Sequence, residues 1–178
     1  MSNTTFTRSG QTDAPLGTEQ AHTLIMLVND RPGSVDRVVG LLRRRRANMQ
    51  TLVLGQSERP DVVRIAVGVN DSNVGVEQLV EQLRKIIDVV HVSNLLPKEA
   101  FVRELALIKV TAIGSQAQEV RTLAQQFDAH IADTTGDTMI LEMLGNAEKI
   151  ATFLKHLMPY GIREIARSGS IAMAKGDL

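Results

Sequence analysis

The sequence predicts an α+β protein built from two consecutive units that share one order of elements, strand–helix–strand–strand–helix–strand. The first observation is that hydrophobic periodicity changes between strand-like and helix-like in the same order in residues 22–96 and again in 101–168. The second is that the two middle extended segments of each unit are joined by a short turn, as in a hairpin. A unit of about 75 residues is marginally stable alone, so we expect it to pack against a partner.

The first unit opens with a short apolar run, residues 22–29, which predicts a buried strand. A turn signal of Asp, Pro and Gly follows at residues 30–33. From Ser34 onward, apolar residues recur at the spacing of an amphipathic helix, namely Val35, Val38, Val39 and Leu42. The segments 48–56 and 62–69 then predict a hairpin.

A second helix and a fourth strand complete the first unit. Residues 70–73 predict a turn, and a helical stripe follows it. The stripe consists of Val76, Leu79, Val80, Leu83, Ile86 and Ile87. The last predicted strand covers residues 88–96 and ends before Pro97.

The second unit begins with a predicted strand at 104–112. Ser115 with Gln118 predicts a capping box for the third helix, whose inward residues are Val120, Leu123, Ala124 and Phe127. The segments 129–135 and 138–144 flank a Gly-Asp turn and predict a second hairpin.

Asn146 is the predicted cap of the fourth helix. The inward residues of that helix are Ile150, Ala151, Leu154, Leu157 and Met158. The helix is expected to end at residues 159–161, before a final strand at 162–168.

This order is that of the ferredoxin-like arrangement, a four-stranded antiparallel sheet with both helices on one face. The other face and the sheet edges need cover, so two units or two chains are expected to join there. We expect a flexible tail at residues 1–21, the first unit at 22–96, a linker at 97–100 and the second unit at 101–178.

Composition excludes some classes of protein and leaves nucleic-acid binding unsupported. The 20 basic and 20 acidic side chains balance, so no global field attracts nucleic acid or an anionic membrane. The chain has no Cys, which excludes disulfides and thiol catalysis and is typical of the reducing cytoplasm. No apolar run approaches the roughly 20 residues needed to cross a bilayer, and no secretory signal is evident.

Enzyme signatures are missing from the sequence. No two glycines stand two or five residues apart, which excludes the glycine patterns of dinucleotide and phosphate-loop sites. The histidines are scattered, at His22, His91, His130 and His156. His130 and Asp133 are the nearest approach to a metal pair, but strand alternation predicts opposite faces for them. The sequence therefore predicts neither a catalytic residue nor a metal ligand.

An RNA-binding platform is also disfavoured, because the segments 49–54 and 62–69 lack the aromatic side chains that stack on bases. The arginine run at 43–46 is interpreted as a solvated helix end, where cations complement the helix dipole. Contact of this run with an acidic partner protein remains its functional alternative.

The loop from Asp30 to Val35 is the strongest candidate for a ligand-binding site. A helix N-terminus favours a carboxylate, and Gly33 lets a ligand approach the backbone closely. Asp30 is suited to accept hydrogen bonds from an ammonium group, so the loop fits the two ends of a free α-amino acid. The same residues are also common in a purely structural turn, and chemistry alone leaves both interpretations open.

The segment 22–52 resembles the opening of the acetolactate synthase (acetohydroxyacid synthase) small, regulatory subunit, which is an ACT domain. The family pattern is met at Val28, Asp30, Pro32, Gly33, Arg37, Val38, Gly40, Leu41, Arg44, Arg45, Asn48 and Leu52. The segments 78–95, 103–110 and 165–177 also resemble that family. The resemblance covers residues 22–178, which is everything except the predicted tail.

The resemblance implies a non-catalytic subunit that binds a catalytic subunit of branched-chain amino acid synthesis, raises its activity and confers end-product inhibition. The catalytic partner is expected to carry thiamine diphosphate, magnesium and FAD, with no cofactor in this chain. Valine, leucine or isoleucine is the implied effector, held between two ACT domains of a homodimer. The site residues carried over are Asp30, Pro32, Gly33, Ser34, Val35, Asn48 and Met49.

Three positions depart from the family pattern, Arg46, Ala47 and Met49. Arg46 and Ala47 stand where a glycine and an aromatic residue are usual, and Met49 stands where isoleucine is usual. A left-handed helix cap at Arg46 is expected to cost on the order of 1 kcal/mol relative to glycine. A stand-alone amino-acid-sensing ACT protein is the alternative function.

Overall fold

The computed structural model describes residues 20–176. The first unit is a four-stranded antiparallel sheet with two helices, and its strand order is β2-β3-β1-β4. Its elements are β1 (Gln20–Asn29), α1 (Ser34–Arg44), β2 (Met49–Gln56), β3 (Val62–Asp71), α2 (Asn73–Arg84) and β4 (Val89–Leu95). The predicted tail at 1–21 lies outside the described residues except for Gln20 and Ala21, which already belong to β1.

The second unit repeats this arrangement with strand order β6-β7-β5-β8 and adds one further strand, β9, paired with the beginning of β5. Its elements are β5 (Ala100–Thr111), α3 (Ser115–Gln126), β6 (His130–Thr135), β7 (Thr138–Gly145), α4 (Ala147–Leu157), a 3₁₀ turn (Met158–Tyr160), β8 (Ile162–Arg167) and β9 (Ile171–Ala174). The predicted fold class, two ferredoxin-like units, is therefore confirmed.

Each unit has its own core between its sheet and its helices, because alternate strand residues point to the helix face. In the first unit, the buried residues include Leu24, Met26, Val38, Leu42 and Ile65. In the second unit, the core includes Ile108, Leu141, Ile150, Phe153 and Leu157. Both cores lie on one face of their sheets, as the topology requires.

Some expectations about the inward residues of α2 and α4 were wrong. Helix α2 ends at Arg84, so Ile86 and Ile87 follow it; Ile86 still packs against the core, whereas Ile87 is 89% exposed. In α4 the residue that turns inward is Phe153, whereas Ala151 and Met158 are exposed. The stripe of α4 is thus Ile150, Phe153 and Leu157, spaced three and four residues apart, as a narrow buried face requires.

The expected helix caps have mixed outcomes. Asn146 caps α4 as predicted, because its Oδ1 accepts a hydrogen bond from the backbone N–H of Lys149 at 2.8 Å. The capping box of Ser115 and Gln118 was wrong, since Gly114 precedes α3 and makes no side-chain cap. Ser72 caps α2 by accepting from Gly75 N–H at 3.2 Å, where the sequence predicted only a turn.

Strand β5 starts at Ala100, four residues before the predicted start, because its first residues pair with β9. Together they form a two-stranded ribbon that covers the face of the first sheet opposite its helices. The buried contacts across this layer are Ile25, Ala66, Leu95, Ala100 and Ala172. Arg64 adds a hydrogen bond from Nη2 to the carbonyl of Ala172 at 2.9 Å. The expected cover of that face therefore comes from the same chain.

The predicted opposite placement of His130 and Asp133 was wrong. The register of β6 shifts between Ile131 and Asp133, so His130 lies opposite Glu142 and Asp133 opposite Ile140. Partners two residues apart on β7 share a face, and both polar side chains therefore lie on that face. Residues 20–176 hold no group of three or more His, Asp or Glu able to bind a metal ion. In the same residues no helix is long and apolar enough to span a membrane.

Candidate functional site

The loop between β1 and α1 is held at both of its ends by backbone hydrogen bonds. Asn29 N–H donates to the carbonyl of Asp88 at 2.8 Å, and Asp30 N–H donates to the carbonyl of Asp61 at 2.8 Å. Gly33 precedes α1 with φ of 81°, a left-handed conformation that favours glycine. Asp30 and Pro32 are exposed. The loop thus presents Asp30 and Pro32 to solvent from a fixed backbone.

The N-terminus of α1 has unused donors. Within residues 20–176, the backbone N–H groups of Val35 and Asp36 have no acceptor at hydrogen-bond distance. Ser34 N–H donates to the carbonyl of Arg31 at 3.0 Å, and the Ser34 side chain is buried. Val35 is half-buried against the core of the first unit. This end of the helix offers donors for an anion beside an aliphatic wall.

An ion pair connects this end of α1 to the start of β4. Arg37 donates from Nε and Nη2 to Oδ2 of Asp88, at 2.8 and 2.5 Å. The Asp88 side chain is only 4% exposed, while that of Arg37 is 49% exposed. Because the two residues are 51 positions apart in the chain, sequence reasoning missed this pair. The one available signal was the Arg that the family pattern contains.

The other half of the predicted site follows the C-terminus of α1. Arg46 has φ of 53°, which confirms the expected left-handed cap. The cap is closed by hydrogen bonds from Arg46 N–H to Arg43 O at 3.0 Å and from Ala47 N–H to Leu42 O at 3.1 Å, the pattern of a Schellman motif. The chain then turns directly into the edge strand β2.

Asn48, just before β2, and Met49, its first residue, have different environments. The exposed Asn48 side chain accepts a hydrogen bond from Gln50 Nε2 at 2.9 Å, and the Asn48 backbone carbonyl accepts from Asn70 N–H at 3.1 Å. Met49 is half-buried against the core, as is Ala47. An apolar wall and an exposed polar side chain therefore stand side by side, as they do at the other end of α1 for Val35 and Asp30.

The structure does not bring the two halves of the site together within one chain. Met49 lies opposite Val69, which pairs with His22 at the start of β1. Asn29, beside the first half, lies at the far end of the same strand. The 11-residue helix α1 separates the halves. At 1.5 Å per residue its length is about 16 Å, too long for one amino acid to bridge.

Comparison with known proteins decides the family. Residues 24–91 match the model described as "AHAS small subunit-like ACT domain", and residues 103–176 match "Small subunit of acetolactate synthase". The acetolactate synthase small subunit of Mycolicibacterium smegmatis is 37% identical over 155 residues, covering 87% of this chain and 91% of the relative. The small subunit of Bacillus subtilis is 36% identical, with coverage of 86% and 90%. The chain belongs to the acetolactate synthase small-subunit family.

The solved small subunit from Thermotoga maritima has the same fold throughout. It superposes with a TM-score of 0.82 at 32% identity, covering 89% of this chain and 99% of that one. The match extends over both ferredoxin-like units. The small-subunit architecture is thus shared beyond the ACT domain.

A further feature of this small-subunit chain lies next to the second half of the site. A cleft of about 510 Å³ separates β2 from the turn between β8 and β9, and its walls include Gln50, Leu52, Arg167 and Ser170. At its floor Glu104 is buried and forms two hydrogen bonds with Arg167, at 2.6 and 2.8 Å. The beginning of β2 and the second unit therefore line one cleft, and Gly169 of the second unit approaches Val53 in the middle of β2.

Proposed function

We propose that this chain is a non-catalytic regulatory subunit that binds the catalytic subunit of acetolactate synthase, raises its activity and makes it sensitive to valine or a related branched-chain amino acid. The family supports the pairing with a catalytic subunit, and the start of α1 supports the effector. The observation that carries the effector site is the set of unused N–H donors next to Gly33 and the half-buried Val35.

The proposed effector is held by both ends of α1, each from a different chain. Its carboxylate binds at the helix N-terminus around Gly33 and Ser34, and its ammonium group is accepted by Asp30 and by Asn48 of a second copy. The aliphatic side chain lies between Val35 and Met49. Since the two halves are separated by the length of α1 in one chain, two antiparallel helices complete two equivalent sites.

Strand β2 is the edge through which we propose that the homodimer forms. It is an outer strand of the first sheet, so its backbone groups on one side have no neighbouring strand within residues 20–176. Leu52 and Leu54 are 46% and 54% exposed. They lie opposite Val67 and Ile65 and therefore face the helix side of the sheet. Pairing of two β2 edges hides these side chains and places α1 beside its copy.

Inhibition then follows from coupling between sites. The effector favours one arrangement of the two ACT domains, and contact between β2 and the second unit passes the change to the catalytic subunit. Couplings of about 1–3 kcal/mol correspond to changes of about 5- to 150-fold, which is sufficient for feedback control. Thiamine diphosphate, magnesium and FAD are assigned to the catalytic partner, and the cytoplasmic location stays a prediction.

The decisive experiment measures acetolactate formation by the cognate catalytic subunit, with and without this chain, across a valine titration. Stimulation that valine reverses is the expected result. Stimulation without valine sensitivity keeps the regulatory role and locates the loss in the segment with Arg46, Ala47 and Met49. Valine binding without stimulation or capture of the catalytic subunit contradicts the proposal and favours a stand-alone amino-acid sensor.

A further inference from the structure

The guanidinium group of Arg37 uses only part of its hydrogen-bonding capacity. Its Nε and Nη2 both donate to one oxygen of Asp88. Its Nη1 has no hydrogen-bond partner in the part of the chain that the structure describes. The guanidinium group is planar, and the buried Asp88 carboxylate binds the edge formed by Nε and Nη2. The Nη1 group is therefore held in a defined direction.

That free edge lies over the N-terminus of α1. A Cβ built on Gly33 would be 3.3 Å from Arg37 Nη1. Helical side chains lean toward the N-terminus, and Arg37 lies three residues after Ser34, so its side chain reaches back along the first turn. An unpartnered guanidinium N–H group therefore lies at the same end of the helix as the unused N–H groups of Val35 and Asp36.

The same end of the helix also holds a buried hydroxyl group without a hydrogen-bond partner. Ser34 is the first residue of α1 and is wholly buried. Its Oγ has no hydrogen-bond partner within residues 20–176. Buried hydroxyl groups are normally hydrogen-bonded, since an unsatisfied one is costly.

We infer that Arg37 is an effector-binding residue whose Nη1 donates to the carboxylate of the amino acid, and that Asp88 is the positioning residue that aims it. The inference rests on the effector site proposed above and adds to it a guanidinium N–H donor that the ion pair with Asp88 holds in a fixed direction. The site is therefore specific for a free carboxylate, and an amide of the same amino acid is a poor ligand.

The alternative is that Arg37 serves only to neutralise the buried Asp88. The substitution Arg37→Lys separates the two roles, because lysine keeps a cation beside Asp88 but has a single amino group and no second edge to offer the ligand. Direct binding of L-valine and of L-valinamide to the full chain is measured by calorimetry. Arg163→Lys on the second unit is the matched control, since Arg163 hydrogen-bonds Thr111 far from α1.

For Arg37→Lys we expect valine affinity to fall about 10- to 100-fold, the range for loss of a charge-assisted hydrogen bond, with valinamide affinity changed less than about threefold. Arg163→Lys changes neither. Equal losses for both ligands, or no loss, overturn the role of Arg37. Absence of valine and valinamide binding in the unaltered chain instead overturns the proposed effector site and this inference with it. Should Arg37→Lys fail to fold, Arg37→Gln with Asp88→Asn removes both charges and permits the same comparison.

Discussion

Gly169 lies against Val53 so closely that a Cβ at position 169 would be 2.8 Å from Cγ2 of the valine. Gly169 belongs to the turn between β8 and β9 of the second unit, and Val53 lies in the middle of β2 of the first. The glycine also has φ of 77°. Two independent features, close approach and left-handed backbone, thus require glycine where the second unit contacts the edge strand.

The contact predicts that Gly169→Ala destabilises the chain more than a glycine replacement with backbone strain alone. Gly136 supplies the control, because its φ is 56° and nothing lies within 4 Å of a Cβ built there. We expect Gly136→Ala to lower the free energy of unfolding by about 1 kcal/mol and Gly169→Ala by about 2–3 kcal/mol. Denaturant unfolding measures both. Adding Val53→Ala to Gly169→Ala should recover part of the difference, and equal effects at the two glycines would contradict the contact.

If the homodimer forms through the edge strand β2, negative charges introduced on that strand should separate the two chains. Leu52→Glu with Leu54→Glu should give a monomer that is folded but binds valine at least tenfold more weakly, because each site needs two chains. Sedimentation velocity and calorimetry measure the two effects. Leu144→Glu is the control, since Leu144 is 57% exposed on the second unit. A double variant that stays dimeric would exclude β2 as the interface.

Gly33→Asp should abolish inhibition by valine and keep stimulation of the catalytic subunit. The new Cβ points at Arg37 Nη1, 3.3 Å away, so the introduced carboxylate occupies the place of the effector carboxylate. Acetolactate formation across a valine titration measures both properties. The control is Gly114→Asp, which replaces the glycine before α3 at φ of 57°, where a Cβ has open space. Full valine sensitivity in Gly33→Asp would show that the effector binds elsewhere.

Arg46→Gly should stabilise the chain by about 1 kcal/mol, since glycine adopts the left-handed conformation at φ of 53° without the clash that Arg46 suffers. The neighbour Arg45 provides the opposite test. Its φ is −82°, so Arg45→Gly gains nothing from left-handed freedom and should destabilise by about 0.5–1 kcal/mol. Thermal unfolding compares the two. The same sign for both variants would mean that the cap conformation is not what limits stability here.

The ion pair between the buried Glu104 and Arg167, whose side chain is 40% exposed, predicts strongly non-additive substitutions. The Glu104 hydrogen bonds raise the pKa of the Arg167 guanidinium above its ordinary value. Arg167→Met leaves the 2% exposed carboxylate without its partner and should cost about 3 kcal/mol. Converting Glu104 to Met as well should recover most of that loss, because the uncompensated charge is gone. Chemical denaturation of the two single variants and the double variant measures the coupling, and additive losses would contradict it.

The order of strands and helices could be predicted because it depends on local periodicity. Strand β9 could not, since four residues are too few to show alternation and its partner is the distant start of β5. The cap of α3 was missed because Gly114 adopts a backbone conformation that displaces Ser115 from the capping position. In α4, Phe153 lies three residues after Ile150 and four before Leu157, so helical spacing was consistent with its burial and the prediction omitted it.

The candidate site was likewise predictable only in part. The resemblance supplied the segments that hold Gly33 and Asn48, one before and one after the first helix, and the structure added the hydrogen bonds that hold each of them. The ion pair of Arg37 with Asp88 joins residues 51 positions apart, and nothing local in the sequence signals it. Side-chain partners across long sequence separations depend on the folded topology, so they were beyond a reading of the sequence.

The ribbon of β5 and β9 determines where this chain can be truncated without exposing the first sheet. The predicted linker at 97–100 looks like a suitable place to truncate the chain. However, residues 100–103 of β5 and 171–174 of β9 together cover one face of the first sheet. A fragment ending at Leu96 would expose Ile25, Ala66 and Leu95 to solvent and would therefore tend to aggregate. Trimming the last eight residues would remove Ile171–Ala174 and open the same surface from the opposite terminus. The second face of the amino-terminal sheet is therefore buried only when β9, near the carboxy terminus, is folded against it.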